Sequence, residues 1–452
     1  MSDHNLNITR RDFLNAVLIG TGALLLELPA PARLLAQTQS WKDYGGVGDY
    51  AASHGNTEEI VRISKKIQQG KYNRPPDSVI DTEEIFDLLV VGGGLSGLSA
   101  AFQFRKDARN GQKCLIIENH PIFGGHAKRN EFMVNGYLLT GPQASNAFVF
   151  ANRGGTRRDE IFADLRIPRT FSYQELSPEL DRLTFDRTSY GFMLWQDISA
   201  SVGFFFDQGE SPYWVIDPWG RKLKKAPYSR KVKRDFFTWR NSEKKYYRRA
   251  DFQQWLDSIT YSEYLEKVMG LSPEIPKFAN PIIASALGLG SDAISAYGAY
   301  QIGMPGFKGF GRWPGTRRLD ETNWHSFPGG NDGFTRYFIK ALIPGAIDGE
   351  YSFNDILNRP VNLSALDSPA NDVRMRLGAT VVGVEHVPSP GNSDHVLVTY
   401  VKKGQTYRLK AKAVAMASAG WTTRHIVKDL PDKYKSAYEK FFYSPVLVVN
   451  VA

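Results

Sequence analysis

The residues best suited to chemistry cluster in Phe86–Gly97, which reads FDLLVVGGGLSG. Gly92, Gly94 and Gly97 fit Gly-x-Gly-x-x-Gly directly after a strand and at the opening of a helix. In that setting the first glycine permits a tight turn, and the second lets the backbone approach a pyrophosphate. The third lets helix and strand pack closely, while N–H groups at the helix start, including that of Ser96, face the phosphates. Ala101, four residues after Gly97, keeps that contact small. A second apolar run, Lys113–Glu118, ends in a carboxylate able to accept hydrogen bonds from both ribose hydroxyls of an adenosine. An acid at this point fits FAD or NAD and argues against NADP. Its distance from the loop exceeds the usual ~20 residues because Arg105–Gln112 lengthens the helix and its connection.

The next segment, Phe123–Phe132, reads FGGHAKRNEF. Gly124 and Gly125 allow backbone to run against a cofactor, and Lys128 or Arg129 can meet a phosphate or ribityl oxygen. Such a glycine pair soon after the acidic strand end is common in flavin amine-oxidase-type proteins and not in nicotinamide dehydrogenases. His126 has two open readings, a covalent flavin attachment point or a hydrogen-bonding structural histidine. Cys114, the lone cysteine, sits within the second strand as a small core residue. It excludes an intramolecular disulfide and any Cys-rich zinc or iron–sulfur centre, and no metal site is expected.

Several elements must position these residues. Thr57–Gln69 has helical spacing, with Ile60, Ile63 and Ile67 on one face and Thr57 as N-cap. Phe86–Val91 and Lys113–Glu118 read as buried parallel strands, with a helix over Ala100–Arg109 between them. Asn331–Leu342 has a helical pattern. Thr380–His386, His395–Lys402 and Ala411–Ala417 read as strands, with the turn-rich Pro388–Ser393 between the first two. A last apolar run, Val446–Ala452, reads as one more strand. From about Ala151 to Asp320 the composition turns aromatic, charged and helical without a repeat.

The 452 residues suffice for about two to three domains at ~150 residues each. Hydrophobic residues at 42% and charged residues at 23% fit a folded protein and exclude a disordered tail, while the aperiodic glycines and prolines exclude collagen. Near the N-terminus Thr9-Arg10-Arg11-Asp12-Phe13-Leu14 is a twin-arginine pattern, followed by the apolar Ala16–Leu26 and small residues around Ala30–Ala36. Export through the twin-arginine route to the periplasm is expected, which moves proteins after their cofactor is inserted. The net charge of +9 is concentrated: Arg221–Arg249 holds thirteen Lys/Arg against Asp235 and Glu243, a local +11. Interleaved Phe236, Phe237, Trp239, Tyr246 and Tyr247 make 221–249 a contact for an anionic membrane surface, another subunit or an acidic partner, or else a solvated aromatic-anchored loop. Nucleic acid is not expected as a partner of an exported chain.

From about Trp41 to Ala452 the chain resembles the spermidine dehydrogenase-like FAD proteins of the flavin amine oxidase group. The resemblance rests on GGVGDYAASHGNT (Gly45–Thr57), FGGHAKRNEF, FPGGNDGFTRYFIKALIPGAI (Phe327–Ile347), VRMRLGATVVGVEHV (Val373–Val387) and the final SPVLVVNVA. It implies an α/β fold, a Rossmann-like FAD-binding domain of the glutathione reductase type with an inserted helical and mixed substrate domain. Gly92, Gly94, Gly97 and Glu118 would hold the ADP half of FAD, and Gly124, Gly125, His126 and Ala127 would line the flavin side. Val381 would meet the adenine through its backbone, and Ala417–Gly420 would lie near the pyrophosphate. The implied organisation is a signal peptide over 1–36, an extension over 37–80 and a first FAD-binding part over 81–150. A substrate or cap domain would follow over 151–325, then the second FAD-binding part and the start of a further substrate-domain strand over 326–452.

The family often carries Asp where this chain has Gly329, and a second His where it has Ser326; His325 remains. Loss of that acid weakens a polyamine reading, since a cationic amine needs carboxylates or aromatic faces. Family members also continue beyond this endpoint. The expectation is a fragment, a sheet completed by another polypeptide, or impaired flavin binding. Three functions stay open: hydride transfer from an amine carbon to flavin and on to an electron acceptor or redox protein; a non-amine flavoprotein; and a flavin-binding subunit. His325 is the catalytic candidate at the flavin, with a structural role as its alternative. Trp324, Tyr297 and Tyr300 are candidate aromatic walls.

Overall fold

The computed structural model describes residues 57–74, 78–134, 137–145, 147–149, 157–169, 203–207, 212–311, 324–327 and 330–441, with 443 and 448. The twin-arginine segment, Gly329 and, apart from Val448, the expected strand Val446–Ala452 lie outside the described residues. The first element is helix α1 (Glu58–Gln68), whose N-cap Thr57 accepts a hydrogen bond from the Ile60 amide at 3.3 Å. Ile60, Ile63 and Ile67 are buried as their spacing predicts, each contributing roughly 1.5–3 kcal/mol. Strand β1 (Ile80–Val91) starts six residues before the apolar run. Its polar first half is held by pairing with a later long strand, with a bulge between Asp81 and Ile85. Helix α2 (Leu95–Asp107) begins immediately after Gly94 and buries Gly97, Leu98, Ala101 and Phe102. Strand β2 (Cys114–Ile117) is buried throughout, and burial pushes the Cys114 thiol up to about 12.

Two small antiparallel pairs follow. β3 (Arg129–Val134) pairs with β4 (Tyr137–Pro142), and β5 (Ala147–Val149) pairs with a strand further along. The hairpin β6 (Gly203–Phe206) and β7 (Tyr213–Ile216) then leads into a helical module of α3 (Arg230–Asn241), α4 (Phe252–Asp257), α5 (Glu274–Leu287) and α6 (Ala296–Gln301). Aromatic rings fill this module: Phe236 meets Phe278 at 5.1 Å and 89°, and Trp219 meets Phe236 at 5.9 Å. The Trp239 indole donates to the Tyr261 hydroxyl at 2.8 Å, which in turn donates to the Pro305 carbonyl at 2.7 Å. The basic stretch 221–249 is turn and loop on either side of helix α3, and its aromatics anchor it as one of the two expectations had it. Phe236 and Trp239 are fully buried and Tyr247 stacks on Trp255 at 4.5 Å, while most of the cations point outward.

The chain returns through β8 (Trp324–Ser326), the partner of β5, into α7 (Asp332–Leu342). α7 is buried on nearly every side, and its two cations end on backbone carbonyls. Arg336 Nε donates to Ile356 O at 2.6 Å, and Lys340 Nζ donates to Gly349 O at 2.8 Å. Strands β9 (Val373–Arg376), β10 (Ala379–His386), β11 (Val396–Lys402) and β12 (Gln405–Met416) follow, then helix α8 (Gly420–Ile426).

These strands make one six-stranded sheet in the order β10-β11-β12-β1-β2-β9. β9, β2, β1 and β12 run parallel, while β11 and β10 extend the sheet antiparallel. The long strands serve both halves: β11 covers only Gln405–Ala411 of β12, and β2 covers only Leu88–Val91 of β1. Glu84 ties the start of β1 to β9, with Arg374 and Arg376 each 2.9 Å from its carboxylate. Burial opposes that charge, but the two guanidiniums outweigh it and hold the Glu84 carboxyl below its ordinary range. This is the expected α/β class: a parallel sheet with a glycine-loop turn, an antiparallel extension and an inserted helical module.

Candidate dinucleotide site

A parallel sheet presents its ligand site at the carboxyl ends of its strands. Here Gly92 follows β1, Glu118 follows β2 and Ala417 follows β12, and backbone hydrogen bonds fasten the three together. Gly92 N donates to Ile117 O at 2.9 Å, and Ala417 N to Val91 O at 2.9 Å. Ala379, which opens β10, donates to Glu118 O at 3.0 Å. They surround a cavity of about 640 Å³.

The glycines of the loop each answer a particular contact. Gly92 has φ +114°, and a Cβ there would lie 2.8 Å from the Ala417 carbonyl oxygen. A Cβ on Gly97 would lie 1.9 Å from the Gly92 carbonyl oxygen, so helix α2 sits as close on the loop as the motif requires. Gly94 differs from expectation. Its Cβ would face Gly125 Cα at 3.5 Å, and a Cβ on Gly125 would face Gly94 Cα at 3.1 Å. Gly124 N also donates to Gly93 O at 2.9 Å. The second glycine pair thus forms a backplate against the first loop, as well as lining the cavity. Gly94 caps α2 without a side chain, which leaves the first-turn N–H groups of Leu95 and Ser96 available at the cavity wall.

Glu118 is 4% exposed, and its carboxylate is held from both sides. Oε2 accepts from Gly93 N at 2.6 Å and Oε1 from His120 N at 2.8 Å. Each oxygen keeps lone-pair capacity on the cavity side for ribose hydroxyls. Lys128, also buried, donates to Gly125 O at 2.7 Å and lies 2.9 Å from His120 Nδ1. Burial raises the Glu118 carboxyl above its ordinary value, against the His120 amide and the Lys128 charge. Burial likewise lowers the Lys128 ammonium, against Glu118 and Asp332. Both shifts run toward the neutral forms, so desolvation exceeds the attraction between them. His120 belongs to no sequence motif, although it lies only two residues beyond the acid.

Gly92, Gly94, Ser96, Glu118, Gly124, Gly125, His126, Ala127, Val381 and Ala417 all line this one cavity. Gly97 lies beneath it in the helix–loop contact. Two walls have no motif to announce them. Helix α1 contributes Ile60 and Ser64, and α8 contributes Trp421, Thr422 and Ile426. The α1 contribution comes from the expected N-terminal extension, whose apolar face packs into the same core as Phe86, Leu89 and Ile426.

Arg129 is the site residue that the structure moves elsewhere. Its guanidinium is 2.7 Å from the Glu131 carboxylate, donates to Leu357 O at 3.1 Å and approaches Asp332 Oδ2 at 3.6 Å, all in the interior. There it offsets two buried acids, while Lys128, just before β3, ends on Gly125 O and His120 behind the cavity wall. His126 bounds the cavity beside Ser145, whose amide donates to His126 O at 2.8 Å. Asn331, at the start of α7, donates to Ser145 Oγ at 2.7 Å and so ties that helix to the cavity wall. His325 stands on β8 opposite Phe148 of β5; its side chain and that of Trp324 lie outside the described residues. Tyr300 is 5% exposed within the helical core, with Tyr297 stacked on it at 6.2 Å, so Tyr300 packs rather than walls a pocket.

Residues 90–152 match the model of an NAD(P)-binding Rossmann-like domain. No curated protein matches the chain. Among solved structures, it is similar to a wild-type putrescine oxidase bound to putrescine, at 16% identity and TM-score 0.40, over 79% of this chain and 63% of that one. It is also similar to a putative protoporphyrinogen oxidase from Exiguobacterium sp. 255-15, at 14% identity and TM-score 0.40, over 80% and 64%. A fatty acid isomerase from P. acnes that produces CLA aligns at 11% identity and TM-score 0.37, over 78% and 64%. The chain spans less than two thirds of the length of each.

Proposed function

We propose that this chain binds FAD through its ADP half and serves a flavin-dependent oxidoreductase of amine-like C–N substrates, of the spermidine dehydrogenase-like kind. The observation that carries the reading is convergence: the glycine loop, the acid at the end of β2, the second glycine pair and the first residues of β10 bound one cavity. The residues fit the group. The uncapped start of α2 offers N–H donors to a pyrophosphate, and Glu118 keeps acceptor capacity for a ribose. The site favours FAD over NAD because Gly124 and Gly125 bring a further turn, with His126 and Ala127, onto the loop where a longer cofactor would continue. When bound, the flavin supplies the two-electron acceptor for the substrate's hydride. The chain's own residues orient the dinucleotide: Lys128 offsets the Glu118 charge, and Asn331 and Ser145 hold the wall that leads toward β5 and β8. His325 is the proposed polar group at the reacting end, and export through the twin-arginine route is part of the proposal.

The test is anaerobic titration of the purified full chain against amines, alcohols and sugars, followed by flavin absorbance. Bleaching by amines alone supports the reading. Bleaching by alcohols or sugars assigns the scaffold to non-amine chemistry, and bound flavin that no substrate bleaches assigns it to a flavin-holding subunit. A folded chain that binds NAD but no FAD overturns it.

A further inference from the structure

We propose that hairpin β6–β7 and the basic turn after it form a docking surface for an anionic lipid bilayer. The hairpin register pairs Phe205 with Trp214 and Gly203 with Ile216, which puts Phe205, Trp214 and Ile216 on one face. That face is turned to solvent: Trp214 is 60% exposed, and Phe205 and Ile216 are each 53% exposed. The Phe205 and Trp214 rings lie 5.3 Å apart, a continuous apolar patch and not scattered side chains. The opposite face is already occupied, because Phe204 and Phe206 pack into the helical core and Val215 is buried. The hairpin therefore cannot turn its outer side chains inward.

Positive charge follows directly in the chain. Arg221–Arg234 holds eight Lys/Arg and no acid. Leu223 is fully buried and anchors the turn, while Arg221, Lys222, Lys224 and Lys225 point outward. The Tyr213 hydroxyl donates to Lys225 O at 3.5 Å and holds the turn beside the hairpin, while Lys233 Nζ of α3 donates to Lys224 O at 3.2 Å and holds it to the helix. Among the described residues, Lys231 is the one cation of this group in an ion pair, with Asp235.

Exposed aromatic and aliphatic side chains flanked by unpaired cations match the interfacial zone of an anionic membrane, where rings enter the headgroup level and cations meet phosphates. A protein partner of ordinary size would require roughly 800 Å² per side from ~20–30 residues. A narrow two-stranded ribbon presenting three apolar side chains does not supply that, whereas a bilayer demands no complementary shape. Among the described residues no helix is long and apolar enough to cross a membrane, and the surface proposed here acts from one side.

The experiment is co-sedimentation of the full chain with vesicles of mixed phosphatidylglycerol and phosphatidylcholine, and with phosphatidylcholine alone, at low and high salt. Binding to the anionic vesicles that weakens with salt is expected. Phe205→Ser with Trp214→Ser should weaken it about tenfold or more. Lys222→Glu with Lys224→Glu and Lys225→Glu should weaken it about a hundredfold. Circular dichroism of both variants should match the wild type. Absence of binding at low salt, equal binding to neutral vesicles, or wild-type binding by the Phe205/Trp214 variant would each overturn the proposal. So would self-association without vesicles that this variant abolishes, which would give the face to a second copy. Salt-sensitive binding to polyglutamate with none to vesicles would give the turn to an acidic protein.

Discussion

The sheet module and the helical module are stabilised by different parts of the chain. Around the cavity, main-chain atoms of β1, β2, β12 and the 124–125 segment touch one another through glycines. In residues 212–311 the contacts are between side chains: Trp219, Phe236, Trp239 and Phe278 form a ring cluster, and buried tyrosines discharge their hydroxyls on backbone carbonyls. Backbone-on-backbone packing tolerates no added atom. Ring packing tolerates changes of identity more readily but loses much when a ring is removed.

The largest effect should come from adding one carbon to the first kind of contact. Gly97→Ala places a methyl 1.9 Å from the Gly92 carbonyl oxygen, a backbone atom that cannot swing aside. The cost should exceed the ~1–3 kcal/mol usual for overpacking, and purified protein should carry no flavin. Gly94→Ala is the contrast, because its methyl meets Gly125 at an ordinary 3.5 Å. It should retain most flavin, whereas Gly94→Val should not. Flavin content and melting temperature of the three variants check this; equal loss in Gly94→Ala and Gly97→Ala would mean that the loop geometry is wrong.

Next in size is a removal. Trp239→Ala deletes a fully buried indole and its hydrogen bond to Tyr261, at a cost of about 3–5 kcal/mol to the helical module. The aromatic core and the two cores flanking the sheet are separate clusters. Cofactor content at low temperature should therefore survive while the melting transition splits or falls. Flavin lost in parallel with helix unfolding would show that the two modules are one cooperative unit.

That contrast also decides what was legible in the sequence. The glycine loop, Glu118 and the parallel strands were readable because a tight turn, a buried strand and a helix start each force particular residue types at fixed spacing. Arg129 was misread because a cation bound for the buried Glu131, Asp332 and Leu357 carbonyl looks in sequence like one bound for a phosphate. The early start of β1 was missed because Asp81–Glu84 is polar, and its strand state depends on pairing with residues more than 300 positions away. The helix within 221–249 was not legible because burial of Phe236 and Trp239 beside outward Arg230 and Arg234 shows only once the partner Phe278 is in place. Ile60 and Ser64 gave a helix and a core face, but nothing local says that a helix lies on a cavity.

A smaller effect separates binding from folding at the cavity itself. Glu118→Gln keeps the shape but removes the charge that accepts from ribose, and FAD affinity should fall by roughly 1.5–3 kcal/mol. The amide nitrogen must then face one of the two backbone donors, Gly93 N or His120 N, so apoprotein stability should also fall, by about 1–3 kcal/mol. Because burial holds the Glu118 carboxyl above 4.5, the folded state retains a proton that the unfolded state releases. Wild-type stability is then favoured below 4.5 and lost as pH rises through the window up to the raised value. The glutamine variant should flatten that segment of the pH–stability curve, measured by denaturant titration. A variant that is both less stable at neutral pH and normal in FAD affinity would assign Glu118 to structure alone.

The smallest effect lies where the cavity borrows a wall from outside the sheet. Thr57 Oγ1 accepts from the Ile60 amide at 3.3 Å, and Thr57→Ala removes that N-cap at about 1 kcal/mol of helix stability. Helix α1 would then fray at the end that carries Ile60, one of its two residues on the cavity, while Ile63 and Ile67 keep the rest docked. FAD affinity should fall by less than about fivefold, the share of that ~1 kcal/mol felt at the site. Thr57→Ser and Thr57→Asp, which preserve the acceptor, should restore it. Hydrogen exchange should localise the change to the first turn of α1 and leave the β1–α2 amides as protected as in the wild type. If instead Thr57→Ala weakens FAD as much as Glu118→Gln does, α1 is a primary part of the binding site, and the division between a backbone-built cradle and its side-chain-built surroundings fails at this wall.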